Sequence, residues 1–357
     1  MKKRVACIGL SLFIITSILA VFFPANAQEP IKLKAANYLP PMHKMSILTQ
    51  WFCDQVKDRT NGKVEIAYHP GGTLLSPVKM YVGVTTGIAD LGFSHTAYTR
   101  GRFPVTEVLD LPQGYPSGYV AVQVSNDFYK KYKPAEWDDV HVLYFASSPP
   151  LVLHTNKKPV RSMEDMSGMK IRATGQMAEV IQALGGAPVP LQMPDVYDAL
   201  RRGVIDGVTV DLSPLKYWKF SEVIKYTTAS WPLGTTYAFY FIINKGKWDR
   251  LPGDAQKVMT DVAMEAKDKQ AALWNEMDFE GRELFISQGG EIIQLNDAEI
   301  AKWKKAVIPV IDQYKKSMID KGYKAADVDG WLNFISERIK YWQAEERKRG
   351  IANPYLQ

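Results

Sequence analysis

The amino-acid sequence predicts an α/β protein built as two similar lobes with a cleft between them. Strands and helices alternate from the start of the chain, which is the pattern of α/β folds. A weak internal repeat places the same helix, glycine and strand in both halves, and one proline-free stretch is long enough to form a helix that spans both lobes. The chain has 357 residues, which is enough for two domains.

The first elements are two strands and the helix between them. Ile31–Asn37 and Val64–Tyr68 alternate apolar and polar residues, as half-buried strands do. An amphipathic helix begins near Ser46, and a glycine-rich loop occupies residues 69–74 after the second strand. Because this loop lacks the spacing and the lysine of a phosphate-binding loop, we interpret it as a backbone turn.

The internal repeat is the strongest indication of two lobes. Residues 81–90 (YVGVTTGIAD) resemble residues 197–206 (YDALRRGVID), 116 positions later. In each copy a helix is expected to end at a glycine, which tolerates the left-handed conformation found after helices. A short apolar strand follows in both copies, Leu91–Phe93 and Val208–Val210. The alternative is chance similarity between two helix-to-strand turns.

The later elements are crossing strands, a long helix and a helical tail. At about 1.5 Å per residue, the helix would span roughly 50 Å and could brace both lobes. In chain order these elements are strands at Val140–Ala146 and Leu151–Thr155, a short helix from Ser162, a strand at Met169–Ala173 with a helix after it, a strand at Thr235–Asn244, a helix at Gly253–Gln288 and helical residues from Ala298 to Arg349.

The N-terminus has the pattern of a Sec signal peptide. A basic start (MKKR) precedes an apolar run from Val5 to Phe23 and the small-residue motif that ends at Ala27. Cleavage after Ala27 is predicted. An uncleaved membrane anchor is the alternative, because the run is just long enough to cross a bilayer. The small-residue motif favours removal, so we expect an exported, water-soluble, periplasmic chain.

Charge and cysteine content exclude several classes of partner. Removing the three basic residues of the leader lowers the formal charge from +6 to +3, which is too mild to indicate binding to nucleic acid or a membrane surface. Only Cys53 remains in the mature chain, so no intrachain disulfide is possible. We expect Cys53 to be a buried, unreactive thiol.

Arg172 is the first candidate binding residue. It follows a predicted strand, and the helix that starts after Gly175 places a helix N-terminus beside it. Ligands of open α/β sheets bind outside the carboxyl ends of the strands, and helix N-termini favour negative charge. A guanidinium can hold a carboxylate through two hydrogen bonds. The alternative is a surface arginine paired with a neighbouring acid.

Several motifs resemble the DctP family, the periplasmic solute-binding proteins of TRAP transporters. The segments HPGGTLL, GIADLGF, NKKPVRSMEDMSGMKIRATG, LRRGVIDGV and FSEVIKYTT occur in the same order and spacing, over essentially the whole mature chain. The resemblance implies a bilobal periplasmic-binding-protein fold that closes on an organic acid and delivers it to a small and a large permease subunit. It also implies lobe I at residues 28–149 and about 238–275, and lobe II at residues 150–237 and about 276–357.

The resemblance gives Arg172 the role of binding the substrate carboxylate, because this residue is the arginine of the family's K-I-R motif. A buried ion pair needs further hydrogen bonds to offset its desolvation. We expect the carboxylate to dock on Arg172 of the second lobe before first-lobe groups complete the cavity. The candidates at this cleft edge are Tyr38, His43, Ser94, His95, Thr96, Ser147, Ser148, Thr174, Gln192 and Tyr237.

Two departures from the family pattern indicate the substrate class. Leu151 stands where many dicarboxylate and sialic-acid relatives carry a second arginine, and Val210 stands near the position of a family asparagine. Losing a cation and an amide disfavours dicarboxylates and highly hydroxylated sugar acids. We therefore favour a monocarboxylate with an apolar or aromatic body. Nearby aromatic residues are Tyr217, Trp218, Trp231, Tyr237, Phe239 and Tyr240, although any one of them could belong to the core.

Asp211 has two interpretations. If it faces the cleft, it could pair with an ammonium group, and the substrate would be an amino acid. It could equally cap the helix that starts near Ser213, which is a common role for aspartate.

An exported hydrolase and a ligand sensor are the competing functions. The five histidines form no H-E-x-x-H motif and there is no G-x-S-x-G motif, so an enzyme is not expected. Ser94 and His95 are adjacent, and neighbours on a strand point to opposite faces. A zinc site would need clustered ligands that the sequence does not supply, so we expect neither a metal nor a cofactor. A sensor would share the fold and the ligand chemistry.

Overall fold

The structure is a computed structural model that describes residues 29–355. The predicted signal peptide, residues 1–27, lies outside the described residues. The described chain contains eleven strands. In chain order they are β1 (Ile31–Asn37), β2 (Val64–His69), β3 (Leu91–His95), β4 (Val140–Ser147), β5 (Val152–Thr155), β6 (Lys170–Arg172), β7 (Ala187–Val189), β8 (Gly207–Val210), β9 (Tyr226–Thr228), β10 (Ala238–Asn244) and β11 (Glu291–Ile293).

Ten α-helices accompany these strands within residues 29–355. They are α1 (Lys44–Arg59), α2 (Met80–Thr85), α3 (Gly118–Tyr132), α4 (Gln176–Ala183), α5 (Met193–Arg201), α6 (Pro214–Tyr217), α7 (Lys245–Asp249), α8 (Gly253–Ser287), α9 (Asp297–Asp320) and α10 (Ala325–Lys348). The helix predicted from Ser162 is a single 3₁₀ turn, Met163–Met166, and the helical tail is divided in two. None of the helices in this part of the chain combines the length and apolarity needed to cross a membrane.

The strands form two sheets with matching construction. The first has the order β2-β1-β3-β10-β4 and the second β11-β9-β5-β8-β6-β7. In the first sheet β1 lies parallel to β2 and β3, and β10 runs antiparallel to β3 and β4. In the second sheet β6 lies parallel to β7 and β8, and β5 runs antiparallel to β8 and β9. The predicted bilobal α/β fold is confirmed.

The two copies of the internal repeat make the same pair of hydrogen bonds. The Asp90 carboxylate accepts from the Lys34 N–H at 2.8 Å, while the Asp90 N–H donates to the Lys34 carbonyl. The Asp206 carboxylate accepts from the Lys170 N–H at 2.8 Å, and the Asp206 N–H donates to the Lys170 carbonyl. Each aspartate therefore joins the segment after its helix to a neighbouring parallel strand, β1 or β6, and this match favours a true repeat over chance similarity.

Two neighbouring segments cross between the lobes. The Ser148 N–H donates to the Tyr237 carbonyl at 3.0 Å, and the Leu151 N–H donates to the Thr235 carbonyl at 2.9 Å. The residues between Ser148 and Leu151 are both proline and have no N–H, so the strand ladder cannot continue here. For this reason β5 begins at Val152 and β10 at Ala238, later than their predicted starts.

Helix α8 braces both lobes, as predicted. Its 35 residues run from Gly253 to Ser287, about 50 Å at 1.5 Å per residue. Glu280 of this helix forms an ion pair with Lys44 of α1 at 2.7 Å and a second with Lys216 of α6 at 2.9 Å. One side chain of α8 therefore bridges a first-lobe helix and a second-lobe helix.

Candidate ligand-binding cavity

A small cavity of about 40 Å³ lies between the two sheets. The chain reaches it from the carboxyl ends of β1, β3, β6 and β8, from both crossing segments and from α8. Seven of the predicted polar residues line this cavity. They are Tyr38, His43, His95, Ser148, Arg172, Asp211 and Tyr237. The placement follows the general position of ligand sites in open α/β sheets.

Arg172 is 1% exposed, so it is not a surface residue. Its Nε–H donates to the Leu191 carbonyl at 2.9 Å and one terminal nitrogen donates to the Tyr98 hydroxyl at 3.4 Å. Within residues 29–355 no carboxylate forms an ion pair with it. The alternative of a surface ion pair is therefore wrong. A buried charge without a counter-ion is costly, and a bound anion would remove that cost.

Tyr98 connects the two lobes at Arg172 and was not among the predicted residues. Its hydroxyl also accepts from the N–H of Met193, at 3.0 Å, and burial raises its pKa. Its ring lies 3.8 Å from the ring of His95 and forms an edge contact with Tyr38 at 5.7 Å. Tyr98 lies in a 3₁₀ turn beyond β3. The alternation of side chains along a strand therefore could not predict that it faces the cavity.

Both histidines of the cavity are neutral. Burial lowers the pKa of His43 to about 3, and its Nδ1 accepts from the Met45 N–H at the start of α1. Burial and the nearby Arg172 charge lower the pKa of His95 well below its usual value. The Nδ1 atom of His95 has no hydrogen-bond partner among the described residues. Arg172 is therefore the only positively charged side chain among the described residues that line the cavity.

Asp211 lines the cavity and also organises the turn before α6. Its carboxylate accepts from the Ser213 N–H at 3.0 Å and from the Ser213 hydroxyl. Asp278 of α8 accepts from the same N–H at 2.8 Å, and the Tyr355 hydroxyl donates to Asp278. Burial raises the pKa of Asp211, and burial together with the Asp211 carboxylate raises that of Asp278 well above its usual range. The N-cap position of α6 is held by Ser213, which makes no side-chain capping hydrogen bond, and Asp211 accepts from the Ser213 N–H just before the helix.

Three predicted residues of the first lobe lie outside the cavity lining. The Ser94 hydroxyl donates to the Pro77 carbonyl, and the Thr96 hydroxyl donates to the Ala238 carbonyl. The Ser147 hydroxyl lies 2.7 Å from the Ser125 hydroxyl. The cavity is lined instead by the next residues along the chain, His95 after Ser94 and Ser148 after Ser147. Successive side chains of a strand alternate between faces, so the cavity receives one residue of each adjacent pair.

The other three predicted residues also lie outside the lining. Thr174 is buried, its N–H donates to the Tyr237 hydroxyl at 3.3 Å, and its own hydroxyl has no partner within the described residues. Gln192 is half-buried at the start of α5. Trp231 lies in a 3₁₀ turn, with its ring 5.5 Å from that of Tyr355.

The remaining cavity wall is apolar and aromatic. The Phe239 ring lies 5.0 Å from the His95 ring and 5.1 Å from the Trp274 ring. Val210 lies on the wall, while Leu151 is buried outside it. Further apolar lining residues are Leu39, Met193, Pro214 and Trp218. No group of three or more His, Cys, Asp or Glu side chains that could hold a metal occurs among residues 29–355.

Residues 35–317 match the model of the DctP family, described as bacterial extracellular solute-binding protein, family 7. The chain belongs to this family, the periplasmic solute-binding proteins of TRAP transporters. A solute-binding protein of Roseobacter denitrificans is 22% identical over 318 residues, which cover 86% of this chain and 95% of that protein. The members are solute-binding receptors, a class distinct from enzymes.

Two solved structures illustrate the similarity. A TRAP periplasmic solute-binding protein of Desulfovibrio salexigens, in an open complex, is 30% identical with a TM-score of 0.75 and covers 92% of this chain and 99% of that one. A marine metagenome TRAP solute-binding protein, described as specific for aromatic acid ligands, is 25% identical with a TM-score of 0.81 and covers 87% and 99%.

Proposed function

We propose that this protein is the receptor of a TRAP transporter for a small monocarboxylate with an apolar or aromatic body. Arg172 carries the proposal, because it is a buried cation with no ion-pair partner in the described chain and it lines the cavity between the lobes. A ligand carboxylate would accept the guanidinium hydrogen bonds and neutralise the charge. Tyr38, Tyr98, His43 and Tyr237 would complete this polar end.

The rest of the lining supports an apolar ligand body. Phe239, Val210 and Trp274 present apolar surface, and no second cation lines the described cavity that could hold a second carboxylate. The metagenome relative described as specific for aromatic acids supports the same class. Asp211 is engaged by Ser213 and Asp278, and its raised pKa makes it a poor partner for a ligand ammonium group, which disfavours an amino acid.

Binding would require the two lobes to open and close. Arg172 is almost fully buried in this closed form, so a ligand can reach it only when the lobes are open. The two crossing segments, residues 148–151 and 235–237, are the proposed hinge between lobe I and lobe II. The ligand would shift the equilibrium towards closure only by its extra affinity for the closed form.

Delivery would take place in the periplasm, to the small and large permease subunits. We propose export by the predicted signal peptide, with lobe I formed by residues 28–149 and about 238–275 and lobe II by residues 150–237 and about 276–357. A ligand sensor would bind the same acids. Genes for two permease subunits beside this gene would favour transport, and a gene for a lone sensor kinase would favour sensing.

The test is calorimetry of the mature chain, recovered from the periplasm, against aliphatic and aromatic monocarboxylates, dicarboxylates, amino acids and sugar acids. Its N-terminal residue also tests cleavage after Ala27. Arg172→Ala should weaken binding by about 3 kcal/mol or more, on the order of 100-fold, because the carboxylate would be desolvated without its partner. Arg172→Lys should lose much of this affinity, since a point charge cannot reproduce the planar fork.

The control is Arg201→Ala, which removes an exposed arginine of the same lobe whose ion pair with Asp198 is local to α5. It should bind like the wild type. Near-native affinity in Arg172→Ala would refute the assignment of the carboxylate site. Binding restricted to dicarboxylates or sugar acids would refute the substrate class.

A further inference from the structure

The cavity has a second polar region, separated from Arg172 by a series of rings. Arg172 contacts Tyr98, and the rings of His95, Phe239 and Trp274 then follow one another at 3.8, 5.0 and 5.1 Å between centroids. Trp274, on α8, lines the cavity together with Asp211 and Ser213. A ligand held by Arg172 would therefore extend past Phe239 towards Trp274.

Trp274 has an unpaired polar atom in this region. The residue is 3% exposed, and no atom of residues 29–355 accepts a hydrogen bond from its Nε1–H. The Asp211 carboxylate lies beside this N–H but outside hydrogen-bond geometry, and its Oδ1 atom accepts from the Ser213 N–H and hydroxyl. Buried donors are rarely left unpaired in folded proteins, and satisfying such a donor strengthens binding.

The neighbouring charges restrict what could accept this hydrogen bond. Asp211 and Asp278 both accept from the Ser213 N–H, so their carboxyl groups lie side by side next to Trp274. A second ligand carboxylate would be buried beside these two acids with no cation to neutralise it other than Arg172 at the opposite end, which is costly. An uncharged oxygen carries no such cost, and a hydroxyl could also donate its own proton towards Asp211.

We propose that the ligand carries, in addition to its carboxylate, an uncharged hydroxyl group on the far side of its apolar body whose oxygen accepts the Trp274 Nε1 hydrogen bond. Trp274 is then a specificity-determining residue that selects oxygenated acids over their unsubstituted parents. This inference rests on the proposed carboxylate-binding function and names the ligand more closely.

The test compares parent and hydroxylated acids by calorimetry: phenylacetate with its 3-hydroxy and 4-hydroxy forms, benzoate with its 3-hydroxy and 4-hydroxy forms, and hexanoate with 6-hydroxyhexanoate. In the wild type at least one hydroxylated acid should bind on the order of ten-fold tighter than its parent. In Trp274→Phe, which keeps an aromatic ring but has no N–H, this gain should vanish. The gain is the ratio of hydroxylated to parent affinity within each protein, so a change in the binding of the parent acids themselves does not affect the comparison.

Trp303→Phe is the matched control. Trp303 is a second buried tryptophan whose Nε1 has no partner in the described chain, but it lies on α9 outside the cavity lining. It should keep the full hydroxyl gain, and the melting temperatures of both variants show whether each has folded.

The outcomes separate the two proposals. If no carboxylate binds the wild type, the proposed function fails and this inference fails with it. If parent acids bind but no hydroxyl improves affinity, or if the gain survives in Trp274→Phe, only this inference is overturned.

Discussion

His154 shows how one buried side chain sets hydrogen bonding behind the cavity. Its Nε2 lies 3.0 Å from the Asp211 carbonyl, which can only accept, so Nε2 carries the proton. Its Nδ1 lies 2.9 Å from the Thr227 hydroxyl and accepts from it. Burial lowers the pKa of His154 to about 4. The residue therefore joins β5 and β9 to the segment that carries Asp211, and it does so in its neutral form.

This lowered pKa predicts a pH-dependent stability. Between pH 6.5 and about 4, His154 is protonated in the unfolded chain but stays neutral in the folded chain. The free energy of unfolding is therefore at its full value above pH 6.5 and falls as the pH drops to about 4. The contribution is about 1.4 kcal/mol per pH unit at most and roughly 3 kcal/mol over the whole window. In His154→Gln the free energy of unfolding, measured with urea at pH 7, 6 and 5, should decline less steeply than in the wild type.

Other groups titrate in the same range, but their effects cancel in this comparison. Burial lowers the pKa of His43 to about 3 and that of His141 to about 4, and both remain in the variant. Equal slopes in the wild type and His154→Gln would show that His154 is not held neutral by the fold.

Single residues of the cavity could be predicted only in part. Arg172 was found because strand, glycine and helix follow one another in the sequence and the K-I-R motif resembles the family. The choice between Ser94 and His95 depends on which face of β3 turns towards the second lobe, and alternation alone leaves that face undetermined. Tyr98 lies beyond the strand, and Trp274 lies on a helix, 35 positions after the Phe239 ring that it contacts. Contacts of that kind depend on the tertiary fold.

At the scale of elements, α8 owes its position to a glycine. A Cβ atom on Gly281 would lie 2.2 Å from the Leu212 carbonyl oxygen, which is backbone and cannot move aside. The helix can approach this segment so closely only because Gly281 has no side chain. This approach holds Asp278 of α8 against Ser213 beside the cavity.

Gly281→Ala should therefore destabilise the protein, by about 1–3 kcal/mol as other overpacked substitutions do. Gly330→Ala is the matched control, because Gly330 also lies within a helix, α10, and has no atom within 4 Å of its would-be Cβ. The control should stabilise by about 0.5–1 kcal/mol through the better helix propensity of alanine. Urea denaturation measures both. Changes of the same sign would contradict the close approach at Gly281.

Elements were easier to predict from sequence than the cavity, because their signals are local. The strand β1, the long helix and the two glycine-terminated helices were predicted within a few residues. The starts of β5 and β10 were wrong by one and three residues, since Pro149 and Pro150 interrupt the ladder between the crossing segments. The break between α9 and α10 was missed, although Gly322, with φ of 93°, is the residue that would have indicated it.

At the scale of the whole molecule, two polar contacts between the lobes stabilise the closed form. Arg100, just after the turn that carries Tyr98, forms an ion pair with Glu179 of α4 at 2.6 Å. Gln176, the first residue of α4, donates to the Glu107 carboxylate at 3.0 Å. Both contacts join a segment of the first lobe to helix α4 of the second lobe, so opening the cleft would break them.

The Arg100–Glu179 pair should therefore contribute to ligand affinity although neither side chain touches the cavity. The pair is partly exposed, and such pairs contribute about 0.2–1 kcal/mol. Arg100→Glu and Glu179→Arg should each weaken ligand binding several-fold, because like charges would then face each other only in the closed form. The double variant restores an opposite pair and should recover most of the affinity. Faster ligand dissociation in the single variants, measured by stopped flow, would place the effect on opening of the lobes. Unchanged affinity in both single variants, or additive losses in the double variant, would show that this rim contact does not couple to closure.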